Sequence, residues 1–121
     1  MQLKVLDPAF SVCQTVTPDG IDRMGEYVFV GKTDEEISLV CPTACVPDST
    51  IAREDGWRAF RIQGVLDFSL IGILARITEL LARERIGVFV VSTYNTEYVF
   101  IKEQNFACAL QTLQNAGYEI V

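Results

Sequence analysis

Histidine is absent from this chain of 121 residues. Its imidazole changes protonation near neutral pH, acts as the general base of serine and cysteine hydrolases, and is a frequent metal ligand. Catalytic Ser–His and Cys–His pairs and histidine-ligated metals are therefore excluded within one chain. We predict no metal site and no cofactor.

Long hydrophobic runs are also missing. The longest, such as Val88–Val91, span only a few residues, whereas a helix needs about 20 apolar residues to cross a bilayer. Residues 1–20 lack the basic start and apolar core of a signal peptide. We therefore expect a cytoplasmic protein with no membrane partner.

Basic residues are scarce: 10 lysines and arginines stand against 16 acidic residues, for a net charge of −6. This charge repels nucleic acid, and no basic cluster offsets it, so we predict no nucleic-acid partner. Half of the residues are apolar and 10% are aromatic, which is enough for a packed core. The length allows one domain or two very small ones.

The four cysteines are Cys13, Cys41, Cys45 and Cys108. Three residues separate Cys41 from Cys45, whereas zinc knuckles and thioredoxin-like motifs have two. The favoured interpretation is buried free thiols in a reducing compartment. A redox or metal role of the Cys41/Cys45 pair is the alternative.

The second half alternates strand and helix patterns. From Leu70 onward, apolar residues recur every three or four positions, which predicts a helix capped by Asp67 or Ser69 and ended by Gly87. Apolar residues at positions 106, 109, 110, 113 and 116 predict a second helix, which Gly117 ends. The predicted strands are Phe60–Leu66, Val88–Tyr94, Glu97–Lys102 and Tyr118–Val121. Residues 57–121 therefore predict an α+β, ferredoxin-like βαββαβ fold, with two helices on one face of a four-stranded antiparallel sheet.

The first half predicts mostly strands: Leu3–Leu6, Phe10–Val16, and a hairpin of Tyr27–Lys32 with Glu36–Cys41. Residues 43–54 predict a loop with at most one helical turn.

The first half also repeats patterns of the second. Phe10–Cys13 resembles Phe60–Gln63 at an offset of 50 residues, and Val28–Val30 resembles Val88–Val90 at an offset of 60. The increase in offset falls where the second half has its first helix. We therefore predict two tandem modules, a degenerate one over residues 1–56 that has reduced or lost this helix, and an intact one over 57–121. Chance similarity among short strands is the alternative.

Four segments carry a family resemblance: Glu36–Pro42, Gly56–Arg61, Gly64–Leu74 and Phe89–Tyr98. They resemble the small bacterial tandem ACT-domain proteins, which are similar to the ACT modules of aspartate kinase and of the CASTOR arginine sensors of animals. The resemblance covers essentially the whole chain. It implies ACT folds, pairing of modules and amino-acid binding at an interface between them.

The resemblance also implies a site. The loop Leu66–Gly72 would line the effector pocket, with Gly72 allowing close approach of the ligand, and the segment Ser92–Glu97 would face it. An aspartate is common in the family where Glu97 stands. The predicted ligand-binding residues are Asp67, Phe68, Ser69, Leu70, Ile71, Gly72, Thr93, Tyr94, Asn95 and Glu97.

These residues suit the chemistry of an amino acid. Backbone amides of Ser69–Gly72 would bind its carboxylate, and Asp67 and Glu97 would accept from its ammonium group. Ser69, Thr93 and Asn95 would add polar contacts. Structural roles are the alternatives: Asp67 or Ser69 as a helix cap, Gly72 for close helix–sheet packing, and the segment Ser92–Tyr94 simply as strand.

The sequence therefore predicts a non-catalytic regulatory protein that senses a small ligand, expected to be an amino acid. We expect a homodimer, and an unidentified protein partner is possible. The alternative is an ACT-type interaction module that has lost ligand binding. An enzyme like the ferredoxin-like acylphosphatases would need a phosphate-cradling loop with an arginine, and Arg61 lies in a predicted strand without one. An RNA-binding sheet would need exposed aromatics, and Phe89 and Phe100 suit a core better.

Overall fold

The computed structural model describes residues 1–21, 25–66 and 72–121. The chain divides into two compact units. One contains Met1–Asp7 together with Arg58–Val121, and the other contains Pro8–Trp57. Strand β5 supplies residues to both. The predicted boundary after residue 56 lies next to the one between these units, but the prediction assigned Met1–Asp7 to the first module, whereas the structure places them in the unit with Arg58–Val121.

The described residues form eight strands and two α-helices. In chain order they are β1 (Gln2–Val5), β2 (Phe10–Thr15), β3 (Phe29–Lys32), β4 (Ile37–Pro42), β5 (Ala52–Ile62), α1 (Ile73–Arg83), β6 (Val88–Ser92), β7 (Glu97–Lys102), α2 (Glu103–Asn115) and β8 (Glu119–Ile120). The mixed α+β class and the βαββαβ order from β5 to β8 are confirmed. Neither helix is long and apolar enough to cross a membrane among the residues described.

The sheet of the unit that contains the helices has the order β6-β7-β5-β1-β8. The prediction of a four-stranded antiparallel sheet from residues 57–121 is therefore corrected. Strand β1 lies between β5 and β8, antiparallel to the first (Leu3 opposite Ile62) and parallel to the second (Leu3 opposite Ile120). Both edges of β1 are hydrogen-bonded and Leu3 is fully buried, so β1 is an interior strand of this sheet and contributes to its core.

Both helices pack against this sheet. The buried positions of α1 are Ile77 and Leu81, and those of α2 are Phe106, Ala109 and Leu113. They share one core with residues of β1, β5 and β7: Leu3, Phe60, Ile62, Val99 and Ile101. The apolar periodicity of both helices thus predicted the faces that they bury.

Helix α1 begins at Ile73, three residues after the predicted start at Leu70. Its N-cap is Gly72 rather than Asp67 or Ser69, both of which lie outside the described residues. The predicted terminator Gly87 is also wrong. The chain leaves the helix through Arg85, at φ 58°, whose amide donates to the carbonyl of Ala82. This Schellman-type end lets Ile86 enter the core beside Leu81, which explains why a non-glycine residue tolerates positive φ here.

The sheet of the Pro8–Trp57 unit has the order β3-β4-β2-β5. Its described residues contain one helical element, a 3₁₀ turn over Thr43–Cys45. The loop predicted for residues 43–54 is corrected at its end, because β5 already begins at Ala52. There Arg53 and Glu54 pair with Cys13 and Val12 of β2. The first residues of β5 are exposed and partly charged and show no alternation of apolar and polar side chains, so backbone pairing with β2 is what forms the strand there.

The buried thiols of this unit are Cys13 and Cys41, which pack with Leu39. The pKa of the Cys41 thiol is raised to about 12. Burial is the main cause, and the neighbouring Cys13 and Cys45 add smaller effects. Burial also raises the pKa of Cys13. In contrast, Cys108 is exposed, so its predicted burial is wrong. It lies on the face of α2 away from Phe106 and Ala109.

Candidate functional site

The candidate site is a cleft of about 160 Å³ in the unit that contains both helices. Three segments line it: the segment that follows β5, the first turn of α1, and the turn between β6 and β7. Its described lining residues are Leu66, Gly72, Ile73, Leu74, Ala75, Thr93, Tyr94, Asn95, Thr96 and Glu97. A cavity of about 150 Å³ suffices for a molecule the size of benzene, so the cleft suits a small metabolite.

One wall of the cleft is the N-terminus of α1. The first backbone N–H groups of a helix, here those of Ile73, Leu74 and Ala75, have no carbonyl acceptor within the helix. The N-cap residue Gly72 has no side chain with which to bind them. Intrahelical bonding begins with the Arg76 amide, which donates to the Gly72 carbonyl at 3.0 Å. The cleft is therefore lined by amide donors at the positive end of the helix dipole.

Gly72 takes a left-handed conformation, with φ +82°. A Cβ atom built on it would meet no heavy atom of another described residue within 4 Å. Close helix–sheet packing, the structural alternative for this glycine, therefore does not explain it. Gly72 turns the chain into the helix, and no described residue occupies the space that a side chain would fill there.

The opposite wall is the turn Thr93–Thr96. The Thr93 amide donates to the Thr96 carbonyl at 2.8 Å, and the Thr93 hydroxyl donates to the same carbonyl at 3.1 Å. The Thr96 amide in turn donates to the Thr93 hydroxyl oxygen at 3.3 Å. The Thr93 side chain is thus occupied inside the turn, and it contributes rigidity to the wall.

Two contacts fasten this turn to the chain at and beyond the end of β5. The Thr96 hydroxyl donates to the Ile62 carbonyl at 2.6 Å, and the Leu66 amide donates to the Asn95 carbonyl at 2.7 Å. Thr96 is a buried polar residue, at 6% exposure. These two hydrogen bonds therefore hold the segment after β5 and the β6–β7 turn in a fixed position relative to each other, before any ligand binds.

Glu97 supplies a carboxylate to the cleft. The side chain is half-buried, and it accepts a short hydrogen bond from the Ser92 hydroxyl. A carboxylate has about four lone-pair positions, so acceptor capacity is left after this bond. Tyr94, at 83% exposure, stands at the rim.

The cleft brings together five of the predicted ligand residues: Gly72, Thr93, Tyr94, Asn95 and Glu97. The other five, Asp67, Phe68, Ser69, Leu70 and Ile71, lie outside the described residues. Leu66 and Thr96 also line the cleft; both lie in the two segments expected to face the ligand, but neither was among the predicted ligand-binding residues. The prediction missed Ile73, Leu74 and Ala75, which line it too. Residues 73–75 would have been predicted if the helix had been placed to start after Gly72. The signal for that start was Gly72 itself, because glycine readily takes the left-handed conformation that ends the preceding loop.

Phe89 and Phe100, the residues considered for RNA binding, stack on each other with ring centroids 4.7 Å apart. Phe100 is fully buried. It offers no free face on which a base could stack.

Element order, two helices on one sheet and a small cleft at a helix N-terminus define a ferredoxin-like α+β protein with a candidate small-molecule site. Residues 52–115, more than half of the chain, match the family model described as the ACT domain. The chain belongs to the ACT domain family, which confirms the resemblance found in the sequence. None of the curated proteins matches it significantly.

Solved structures show the same fold. A protein of Agrobacterium tumefaciens is 27% identical, with 99% of this chain and 91% of that chain covered and a TM-score of 0.87. The regulatory subunit of aspartate kinase from Thermus thermophilus, in its ligand-free form, is 10% identical, with 97% and 98% covered and a TM-score of 0.66. Aspartate kinase of Clostridium acetobutylicum is 14% identical, with 94% of this chain and 34% of that chain covered and a TM-score of 0.64.

Proposed function

We propose that this protein is a non-catalytic regulatory protein that binds a small ligand, an amino acid, in the cleft between α1 and the β6–β7 turn. One observation carries the proposal. The N-terminus of α1, where the N-cap residue Gly72 makes no side-chain cap, and the carboxylate of Glu97 line the same cleft. Every α-amino acid presents the complementary pair of charges.

In this proposal the ligand carboxylate accepts from the amides of Ile73, Leu74 and Ala75 at the helix N-terminus. The ligand ammonium group donates to Glu97. The predicted residues Asp67, Phe68, Ser69, Leu70 and Ile71 complete the proposed site from the loop before the helix. The apolar side chains of Leu66 and Leu74 favour the carbon skeleton of the ligand.

Two features support a regulatory role over catalysis. Glu97 is the single carboxylate among the described lining residues, and the chain has no histidine to pair with it as a base. In addition, structures of the same fold include a regulatory subunit of aspartate kinase. Among the described lining residues a ligand would therefore meet opposite charges but no acid–base pair, which supports binding over transformation.

We further propose that the chain contains two tandem ACT-like modules, the first degenerate over residues 1–56 and the second over 57–121. The two hairpin turns support this duplication. The Thr33 amide donates to the Glu36 carbonyl at 2.9 Å, and the Thr93 amide donates to the Thr96 carbonyl at 2.8 Å. In both turns the threonine hydroxyl oxygen accepts from the amide three residues later, at 3.2 Å and 3.3 Å.

A homodimer belongs to the same proposal, because one intact module per chain needs a second to form a paired ACT interface. Sedimentation at micromolar concentration, with and without amino acids, tests it. A dimer in either condition supports the proposal. A monomer in both contradicts it.

The alternative function is an interaction module without a ligand, whose unidentified partner is another protein. It is favoured by the exposed apolar side chains at this end of the unit, Val65 at 73% and Tyr94 at 83% exposure. The two functions differ in one measurable respect: only the regulatory protein is stabilised by an amino acid.

A thermal-shift screen of the standard amino acids tests the proposed function. A ligand at 100 times its dissociation constant adds about 2.7 kcal/mol of stability. The shift should be strongly reduced in Glu97→Gln and retained in Glu84→Gln, a control in an exposed carboxylate at the end of α1. No shift with any amino acid would favour the interaction module.

A further inference from the structure

A second cavity, of about 300 Å³, lies beside Arg61 in the same unit. It shares Thr93, Asn95 and Thr96 with the first cleft but includes neither Gly72 nor Glu97. The side chains that distinguish it are Arg61, Gln63 and Tyr98. Nothing in the proposed amino-acid site uses them.

The guanidinium of Arg61 is held by neutral groups. Its Nε donates to Gln63 Oε1 at 3.1 Å, and its Nη1 donates to Tyr98 Oη at 3.5 Å. A guanidinium has five N–H donors, and these two bonds to described residues use two of them. Among the described residues, ion pairs join Arg53 to Asp55 and Arg83 to Glu79, and none includes Arg61.

The same contacts orient the neighbouring amide. Because the Gln63 oxygen is occupied by Arg61, its NH₂ group is the end that can serve a ligand. Asn95 adds a second amide at the wall. No aspartate or glutamate is among the described lining residues of this cavity, although the whole chain carries a net charge of −6.

A half-buried cation in such a cavity selects for negative charge. The guanidinium presents a planar fork of donors, which fits the oxygens of a carboxylate or phosphate in a bidentate manner. A cationic ligand is disfavoured, because it would meet Arg61 without any described carboxylate to offset the repulsion.

We propose that the cavity at Arg61 is an oxyanion-binding site, which receives the carboxylate or phosphate group of a small molecule. Arg61 binds the anion directly, Gln63 donates a further hydrogen bond, and Tyr98 positions the guanidinium. The site is distinct from the amino-acid cleft, and its occupancy does not depend on the function proposed for that cleft.

The test is an NMR titration of the full chain with inorganic phosphate in one arm and acetate in the other, at constant ionic strength balanced by sodium chloride. The Nε–Hε resonance of Arg61 and the side-chain amide of Gln63 report on the site in the native protein. We expect saturable shifts of both resonances. The arm with tighter binding identifies the tetrahedral or the planar oxyanion as the preferred group.

The variants Arg61→Gln, Arg61→Lys and Arg76→Gln complete the test, the last as a control in an exposed arginine of α1. Loss of the guanidinium should weaken binding about tenfold or more. Arg61→Lys keeps the positive charge but not the planar pair of donors, so its affinity should lie between those of the native protein and Arg61→Gln. Shifts no larger than those with chloride, or saturation with unchanged affinity in Arg61→Gln, overturn the proposal. Since no amino acid is added, failure here leaves the proposed function of the other cleft unaffected.

Discussion

The hydroxyl of Thr96 donates a 2.6 Å hydrogen bond to the backbone carbonyl of Ile62, and both residues are buried. This bond joins the β6–β7 turn to the end of β5. The turn lines both the amino-acid cleft and the cavity at Arg61. The Thr96–Ile62 contact therefore holds the shared wall of the two sites in place.

Thr96→Val should destabilise the protein by about 1–3 kcal/mol, because valine keeps the shape but removes a donor from a buried carbonyl. Urea unfolding measures the change. The matched control is Thr78→Val, whose hydroxyl donates to the Ala75 carbonyl at 3.1 Å in an exposed setting. It should change the stability by less than about 0.5 kcal/mol. Equal losses in the two variants would contradict the structural role of Thr96.

Gly72→Ala should cost about 1–2 kcal/mol, because an L-residue is strained at φ +82°. Gly87→Ala is the control: Gly87 is also exposed, its φ is not in the left-handed region, and an added Cβ meets no heavy atom within 4 Å. The control should be neutral or stabilising by about 0.4–1 kcal/mol. If the two alanine variants have the same unfolding free energy, Gly72 is not the residue that turns the chain into α1.

How far local patterns predict this fold is clear from α1. The apolar spacing correctly predicted a helix and its buried residues Ile77 and Leu81. It also placed the start too early, because Leu70 and Ile71 continue the apolar pattern before Gly72. Because of that error, the prediction did not include the backbone amides of residues 73–75, which bind the ligand carboxylate in the proposed function.

Non-local pairing was not predictable. The insertion of β1 between β5 and β8 joins Leu3 to Ile62 and Ile120, residues far apart in the sequence. No short-range pattern reports such a contact. The β6–β7 turn was predictable, since Asn95 and Thr96 lie between two runs of strand-forming residues. What the sequence did not reveal there is the burial of Thr96.

Thiol labelling at about pH 8 should distinguish the exposed cysteine from the two buried ones, because thiolates react and burial keeps a thiol protonated. Cys108 is exposed and should react quickly, whereas Cys13 and Cys41 are buried and should react only after unfolding. Cys108→Ser should remove the fast phase, and denaturant should make every remaining thiol reactive. Native Cys41 reacting as fast as Cys108 would show that the core around it is open.

Alkaline pH should lower the stability of the folded state. Burial raises the pKa of Cys41 in the folded state to about 12, above the ordinary thiol value of 9.0. Its contribution is therefore fully present below about pH 9 and is lost as the pH rises toward 12, because the unfolded chain releases the proton first. The unfolding free energy should fall less steeply over this range in Cys41→Ala. An identical slope in the variant would contradict the assignment to Cys41.

The most direct test of the central proposal is chemical-shift mapping with an amino acid that stabilises the protein in the thermal screen. We expect saturable shifts of the backbone amides of residues 73–75 and 93–97, with affinity reduced about tenfold or more in Glu97→Gln. Shifts confined to other residues, or no saturable shift with any standard amino acid, would contradict a binding site in this cleft.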